Sequence, residues 1–198
     1  MAKDVAARHP GAPILLDVKS SEAALRLVES AGAAAQIWKT GHSHMKKRMK
    51  ELEAPLAGEM SGHIFIADNY LGFDDAIYAA VRVITQMVKG GQSITEFMDS
   101  LPEQHATPEL RIDCPDTVKF DSMEKIRAHV LSGHDAADVN SIDGVRVRSG
   151  DGWWLIRASN TEAALVARAE AADRTALDRL LGDIETTLAA AGLDWKHP

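Results

Sequence analysis

Apolar residues along the chain switch between two spacings. Positions 14–18 form a short and nearly unbroken apolar run, the pattern of a strand covered on both faces. Residues 35–38 and 64–67 repeat it, and residues 55–57 lead into a polar loop between them. The stretches that intervene carry helical spacing. Ser20 or Ser21 can cap a helix with Leu25, Val28 and Ala31 on one face and Gly32 as its stop. Residues 40–43 turn into a helix rich in Lys and Met. Asp74 and Asp75 open a longer helix, whose predicted apolar stripe is Ile77, Ala80, Val81, Ile84 and Val88, closed by Gly90-Gly91. Ser93 and Glu96 have capping-box spacing for a further short helix. Residues 2–8 read as the tail of a helix ended by Pro10 and Gly11, so the chain reads as starting inside a helix. Strands alternating with helices predict an α/β domain with a largely parallel or mixed sheet over residues 1–102.

The pattern changes after Pro102. Residues 102–108 are polar and carry two prolines, the composition of a linker. Residues 109–114 alternate as a half-exposed strand does. Asp121 or Ser122 is the predicted cap of a helix ending at Gly133. Strands follow at 139–142, 145–148 and 153–158, joined by tight turns at Asp143-Gly144 and Asp151-Gly152, with a fourth at 165–169. Asp173 caps a last helix over 174–191, stopped by Gly192. This order predicts a small α+β domain over residues 103–198, with an antiparallel sheet and helices on one face. Within it, Trp153-Trp154 is predicted to pack one ring inward and leave the other half exposed.

Composition narrows the function. The 198 residues are 45% hydrophobic, enough for a core, and carry a net charge of −7. That charge argues against a nucleic-acid partner, because a phosphate backbone requires a surplus of Lys and Arg. The local run Lys46, Lys47, Arg48, Lys50 reads first as a solvated helix face, and second as positive potential near an anionic substrate. Cys114 is the one cysteine, so no internal disulfide forms, which fits a reducing compartment. It reads as a core or half-buried residue, not a nucleophile. With no apolar stretch approaching the ~20 residues of a bilayer span and no apolar signal-peptide core at residues 1–11, the expectation is a soluble cytoplasmic protein without a membrane partner.

Two strings carry the chemistry. GEMSGH, residues 58–63, offers a carboxylate, a hydroxyl and an imidazole at Glu59, Ser61 and His63, alternate positions that share one side of an extended loop. Glycines at 58 and 62 let the backbone turn sharply. Such groups both donate to and accept from sugar hydroxyls; judged by composition alone, a surface hairpin with polar decoration is the stronger reading, because such hexamers arise by chance. RASNT, residues 157–161, offers the Arg157 guanidinium with Ser159, Asn160 and Thr161, a set of donors suited to phosphate. The alternative is a polar turn, although turn chemistry needs no arginine. Arg168 adds charge on the next strand or faces solvent. Lys19 and His42 fall where the first two strands end, the edge at which open α/β sheets bind ligands. No His, Cys or acidic spacing reads as a metal site, and no serine sits in a nucleophile-elbow motif.

At these residues the chain resembles the α-D-phosphohexomutase superfamily, and within it the bacterial phosphomannomutase/phosphoglucomutase group. DVK (17–19), WKTGHS (38–43), GEMSGHIF (58–65), GFDDAIYAA (72–80), TPE (107–109) and DGWWLIRASNT (151–161) are similar to that family's strings, in its order and over the whole chain. The methionine of GEMSGH favours the mannose/glucose mutases over the glucosamine mutases. The resemblance extends to the third and fourth of four domains. It implies hexose recognition by Glu59, Ser61 and His63 with Lys19 and His42 nearby, His42 as a candidate acid/base or substrate contact, and binding of the non-transferred phosphate by Arg157, Ser159, Asn160, Thr161 and Arg168. It further implies that the phosphoserine and the Mg²⁺ of the complete enzyme belong to the first two domains, so that no metal is expected on this chain. The phosphate loop carries Ala163 where the family commonly has proline, which frees one φ angle.

The implied reaction moves phosphate between O6 and O1 of mannose or glucose through a bisphosphorylated sugar. The implied ligands are mannose or glucose 1- and 6-phosphates. By this reading the chain is inactive alone, being the C-terminal half of a mutase. Two alternatives stand beside it: one chain of a split mutase completed in trans by an N-terminal half, and a non-catalytic sugar-phosphate binding module.

Overall fold

β1 (Pro13–Asp17) lies between β2 (Ala34–Trp38) and β3 (Leu56–Gly58), parallel to both, and β4 (Ile64–Ile66) closes the sheet antiparallel to β3. The computed structural model describes residues 1–197, and the chain falls into two compact units, residues 1–102 and 103–198. The first unit holds α1 (Ala2–Arg8), α2 (Glu22–Ser30), α3 (His42–Leu52), α4 (Ala76–Gly90) and α5 (Ile94–Asp99) around this four-stranded sheet.

Ile14 and Leu15 are both buried yet belong to different clusters. Ile14 packs with Val5, Val28, Leu56, Ile66 and Ala79, which come from α1, α2 and α4 as well as the sheet. Leu15 packs with Met45 and Met49 of α3 and with Ala57 and Phe65. Successive strand residues point to opposite faces, so the unbroken apolar run reflects a sheet covered on both sides. The helix caps follow the sequence signals. Ser21 accepts from the Ala23 N–H at 3.1 Å, Asp75 from the Tyr78 N–H at 2.9 Å, and Ser93 and Glu96 close a reciprocal capping box.

α4 departs from expectation. Ile77, Val81, Ile84 and Val88 are 53–80% exposed, and Ala80 is exposed as well, whereas Ala79, on the opposite side of the helix, is buried. The helix is held through polar and aromatic groups instead. Arg82 donates to Asp68 at 2.8 Å and to Asp4 at 3.2 Å, and Tyr78 stacks on Tyr70 with ring centroids 3.8 Å apart. Asp68 is the centre of this cluster. Its side chain is fully buried and receives Arg8, Arg82 and His9, the last at 2.8 Å. Burial pushes its carboxyl up, but the hydrogen bonds from Arg8, His9 and Arg82 outweigh that and hold it well below the usual carboxylate range.

The second unit contains β5 (His105–Ala106), β6 (Leu110–Asp113), β7 (Val139–Asn140), β8 (Val145–Ser149), β9 (Gly152–Ala158) and β10 (Ala164–Ala171). They form an antiparallel sheet in the order β5-β10-β9-β8-β7, with β6 also on β10. α6 (Asp116–Gly133) and α7 (Arg174–Ala190) cover one face, where Ile126, Val130, Leu180 and Ile184 meet Val145, Val147, Trp154 and Ile156. Cys114 is fully buried in the same core. Gly144 fits its turn because its φ is +82° and a Cβ there would lie 2.3 Å from the Ile156 carbonyl oxygen.

Two further expectations are corrected here. α6 starts at Asp116, behind Pro115, and not near residue 121. The inward positions 119, 123, 126 and 130 keep helical spacing, but the first is a lysine, which breaks the apolar pattern. Both tryptophans are buried, Trp153 at 2% exposure and Trp154 at 0%. Trp154 faces the helices. Trp153 takes the other face, where the Arg146 guanidinium lies 3.7 Å from its ring centroid and its Nε1 donates to Glu170 at 3.1 Å. Among the described residues, no helix is long and apolar enough to cross a membrane.

Candidate functional site

The GEMSGH string is the hairpin loop between β3 and β4. Gly58 pairs with Ile64, the Glu59 N–H donates to the His63 carbonyl at 2.9 Å, and the Gly62 N–H donates to the Glu59 carbonyl at 2.9 Å. Gly62, at φ +93°, makes the left-handed step of this turn, whereas Gly58 ends the strand without positive φ. Glu59, Ser61 and His63 therefore meet through a turn and not through an extended segment. The Ser61 hydroxyl donates to Glu59 Oε2 at 3.2 Å and lies 2.9 Å from His63 Nδ1. His63 Nδ1 is 3.5 Å from Glu59 Oε2.

Glu59 is the anchor of this group. Its side chain is 4% exposed, while His63 remains half exposed. Glu59 Oε1 accepts the Gly41 N–H at 2.7 Å. Gly41 precedes the first residue of α3, so the carboxylate sits at the positive end of that helix. His42 follows directly and is exposed. Lys19, which is buried, lies in the turn beyond β1. The loops after β1, β2 and β3 thus bring Lys19, His42 and Glu59 to the carboxyl edge of the parallel strands.

A residue given no role from sequence ties these loops together. Asp17, the last residue of β1, is completely buried. Its Oδ1 accepts the Ser20 hydroxyl at 2.6 Å and the Met60 N–H at 3.1 Å, and its Oδ2 accepts the Thr40 hydroxyl at 3.2 Å. The signals that marked it were its charge at the end of an apolar strand and its place in the DVK string.

The RASNT string ends β9 and enters the loop to β10. Arg157 is 5% exposed, its Nε donates to Asp143 Oδ2 at 3.1 Å, and its buried Nη2 has no hydrogen-bond partner. Arg168 lies on the same sheet face, diagonal to Arg157, because Arg157 pairs with Val166 and Arg168 with Leu155. Ser159 is buried and braces the loop: its Oγ accepts from the Thr161 N–H at 3.4 Å and the Glu162 N–H at 3.2 Å. Asn160 and Thr161 are exposed. The loop backbone is gripped from behind by Lys119, a residue sequence reasoning passed over, whose Nζ donates to the Ser159 and Glu162 carbonyls at 3.0 and 2.8 Å. Among the described residues no three His, Cys, Asp or Glu side chains gather as metal ligands.

Chemically, the first unit presents a carboxylate, hydroxyl and imidazole able to read vicinal hydroxyls. The second presents a guanidinium with an unused nitrogen beside a loop of short donors, suited to a phosphate.

Residues 1–105 match the family described as "Phosphoglucomutase/phosphomannomutase, alpha/beta/alpha domain III", and residues 109–187 match "Phosphoglucomutase/phosphomannomutase, C-terminal domain". A phosphomannomutase/phosphoglucomutase of Pseudomonas putida is 43% identical over 187 residues, 94% of this chain and 40% of that protein. A solved phosphoglucomutase/phosphomannomutase family protein from Burkholderia thailandensis is 38% identical with a TM-score of 0.85, over 96% of this chain and 40% of that one. N-acetylphosphoglucosamine mutase of Aspergillus fumigatus, solved with glucose 1,6-bisphosphate, shares the fold at 14% identity and a TM-score of 0.62, over 97% of this chain and 42% of that one. The chain spans about two fifths of the length of the curated relatives it matches. It belongs to the phosphoglucomutase/phosphomannomutase family, of which it carries the third and the C-terminal domains.

Proposed function

We propose that this chain supplies the hexose-reading and distal-phosphate-binding groups of a phosphomannomutase/phosphoglucomutase, an isomerase that interconverts hexose 6-phosphate and hexose 1-phosphate through a bisphosphorylated intermediate. Residues 1–102 act as the sugar domain and residues 103–198 as the phosphate domain. The observation that carries the reading is Arg157: a buried guanidinium, oriented at Nε by Asp143, with Nη2 unpartnered. Leaving such a donor unsatisfied costs free energy, and a phosphate oxygen would recover it.

In this reading Glu59, Ser61 and His63 accept from and donate to the ring hydroxyls, with Lys19 and His42 beside them. Gly41 fixes Glu59, so the carboxylate is held in place before the sugar arrives. Arg157, Ser159, Asn160 and Thr161, with Arg168, hold the phosphate that is not being transferred. Because phosphate moves between O1 and O6, the hydroxyls must be read in two orientations of the ring. A set that both donates and accepts suits that demand better than donors alone.

The phosphoserine and Mg²⁺ of the complete enzyme fall to domains outside the matched ones. The described residues do not fit a magnesium site, and no step assigned here passes through the metal. The A. fumigatus relatives, solved with glucose 1,6-bisphosphate and with GlcNAc-6P and magnesium, support a sugar phosphate as the ligand class. The lone cysteine supports a cytoplasmic setting.

The test is a mutase assay on the purified chain with glucose 1-phosphate and mannose 1-phosphate, Mg²⁺ and bisphosphate activator. It is run with and without a polypeptide bearing the two N-terminal mutase domains. Turnover only in the mixture supports the proposal. Turnover by the chain alone overturns this division of labour. The absence of both turnover in the mixture and sugar-phosphate binding overturns the assignment of the sites.

A further inference from the structure

Lys119 lies on the first turn of α6 and is 4% exposed, an unusual place for an ammonium group. A buried charge must be paired. Nζ makes three hydrogen bonds, to Asp116 Oδ1 at 2.5 Å, to the Glu162 carbonyl at 2.8 Å and to the Ser159 carbonyl at 3.0 Å. An ammonium has three protons to donate, so these partners use its full capacity. Two of them belong to the backbone of the loop that follows Arg157, one near each end of residues 159–162.

We propose that Lys119 is the positioning residue of the phosphate loop, turning its peptide planes so that N–H groups face the bound anion. The proposal rests on the reading of residues 157–161 as a phosphate site. A trans peptide is planar, with its C=O and N–H pointing in opposite directions. Drawing the Ser159 carbonyl toward Nζ therefore turns the Asn160 N–H away from it. The Glu162 carbonyl does the same to the Ala163 N–H. The Thr161 and Glu162 N–H groups are already directed at Ser159 Oγ. The Asn160 and Ala163 amides are thus the donors that the clamp turns away from Nζ, and Asn160 is the nearer of the two to Arg157 along the chain.

The experiment uses the full chain. Glucose 1-phosphate is titrated into wild type, Arg157→Ala, Lys119→Met and Lys119→Gln, followed by amide NMR. Melting temperature and the dispersed spectrum report on folding. The expected result is a shift of the Asn160 amide in wild type and no binding by Arg157→Ala. Lys119→Met should then bind roughly tenfold more weakly with the Asn160 shift lost. Lys119→Gln, which retains donors for the carbonyls, should recover part of both. A purely structural role would lower the melting temperature of a folded variant and leave the Asn160 response intact. If wild type and Arg157→Ala both fail to bind, the phosphate reading falls and takes the clamp with it. If wild type binds, Arg157→Ala does not, and folded Lys119→Met binds as wild type does, the clamp alone is overturned. Should Lys119→Met fail to fold, Lys119→Gln is judged by the same criterion. If neither folds, Lys119 serves the fold and the proposal is rejected.

Discussion

The buried carboxylate of Asp17 accepts the N–H of Met60, 43 residues away, at 3.1 Å. The same side chain takes the Ser20 and Thr40 hydroxyls, so one group sets the loops after β1, β2 and β3 relative to one another. Asp17→Ala removes a shared acceptor of the Met60 N–H and of the Ser20 and Thr40 hydroxyls and should cost about 2–3 kcal/mol, read as a lower urea midpoint at unchanged slope. Asp17→Asn should cost less, because Asn keeps an acceptor and the Thr40 hydroxyl can reverse to accept. Equal losses in the two variants would show that the charge, not the hydrogen-bond geometry, organises these loops.

On the phosphate side, Asp143→Ala should weaken glucose 1-phosphate binding without abolishing it. It removes the acceptor of Arg157 Nε but leaves the guanidinium in place. Arg157→Ala should abolish binding. The two affinities come from one calorimetric or NMR titration series, and a tighter-binding Asp143→Ala would mean that its charge opposes the ligand more than it orients Arg157.

Acid should act on both units. The bonds from Lys196 and His197 hold the Glu185 carboxyl down to about 2, and Asp68 lies lower still for the reasons given above. In both cases the folded value is below the unfolded one, so the unfolded chain binds more protons in between. The stability they contribute is full above about pH 4.5 and drains away as pH falls through the folded values. Asp68→Asn should cost about 1–3 kcal/mol at neutral pH by setting the mostly buried Arg82 and the partly exposed Arg8 beside a neutral group, with Asp4 as their remaining carboxylate. It should also flatten the decline of melting temperature between pH 5 and pH 3. A decline as steep as in wild type would place the acid sensitivity elsewhere.

The α4 stripe invites a solubility test. Ile77 and Val88 are 80% and 78% exposed, so replacing both by Glu should change stability by less than about 1 kcal/mol. The same change should reduce self-association in sedimentation velocity, because contiguous exposed apolar surface drives association. A drop of several degrees in melting temperature would show that this face is packed in solution.

Much of the fold was legible from local chemistry. Ser21, Asp75, Ser93 and Asp173 announce their helices because a cap acts within three residues. The α4 face was misread because periodicity reports that a stripe exists and not what faces it. The start of α6 was hidden because Lys119 occupies a position where the pattern called for an apolar residue. Trp153 was misjudged since its burial depends on Arg146 and Glu170, which lie on neighbouring strands. For the site, the residue types of GEMSGH and RASNT were visible. Their supports were not: Gly41 to Glu59, Asp17 to Met60 and Lys119 to Ser159 join positions 18 to 43 residues apart, and no periodic signal connects them.

The hairpin that carries Glu59, Ser61 and His63 occupies the rim of its sheet: among the described residues β4 pairs with one strand, β3, and beyond it Phe65 makes an isolated bridge to Asp74. Its two arms are three residues each and are joined by a short turn. Under the proposed sugar-reading role, residues 59–63 can therefore be exchanged as a cassette, with the hydrogen-bond ladder of β1, β2 and β3 undisturbed. Asp17 sets the boundary of that freedom. It recognises a main-chain N–H at position 60 and is indifferent to the side chain there, so any replacement that preserves the backbone path can be accommodated.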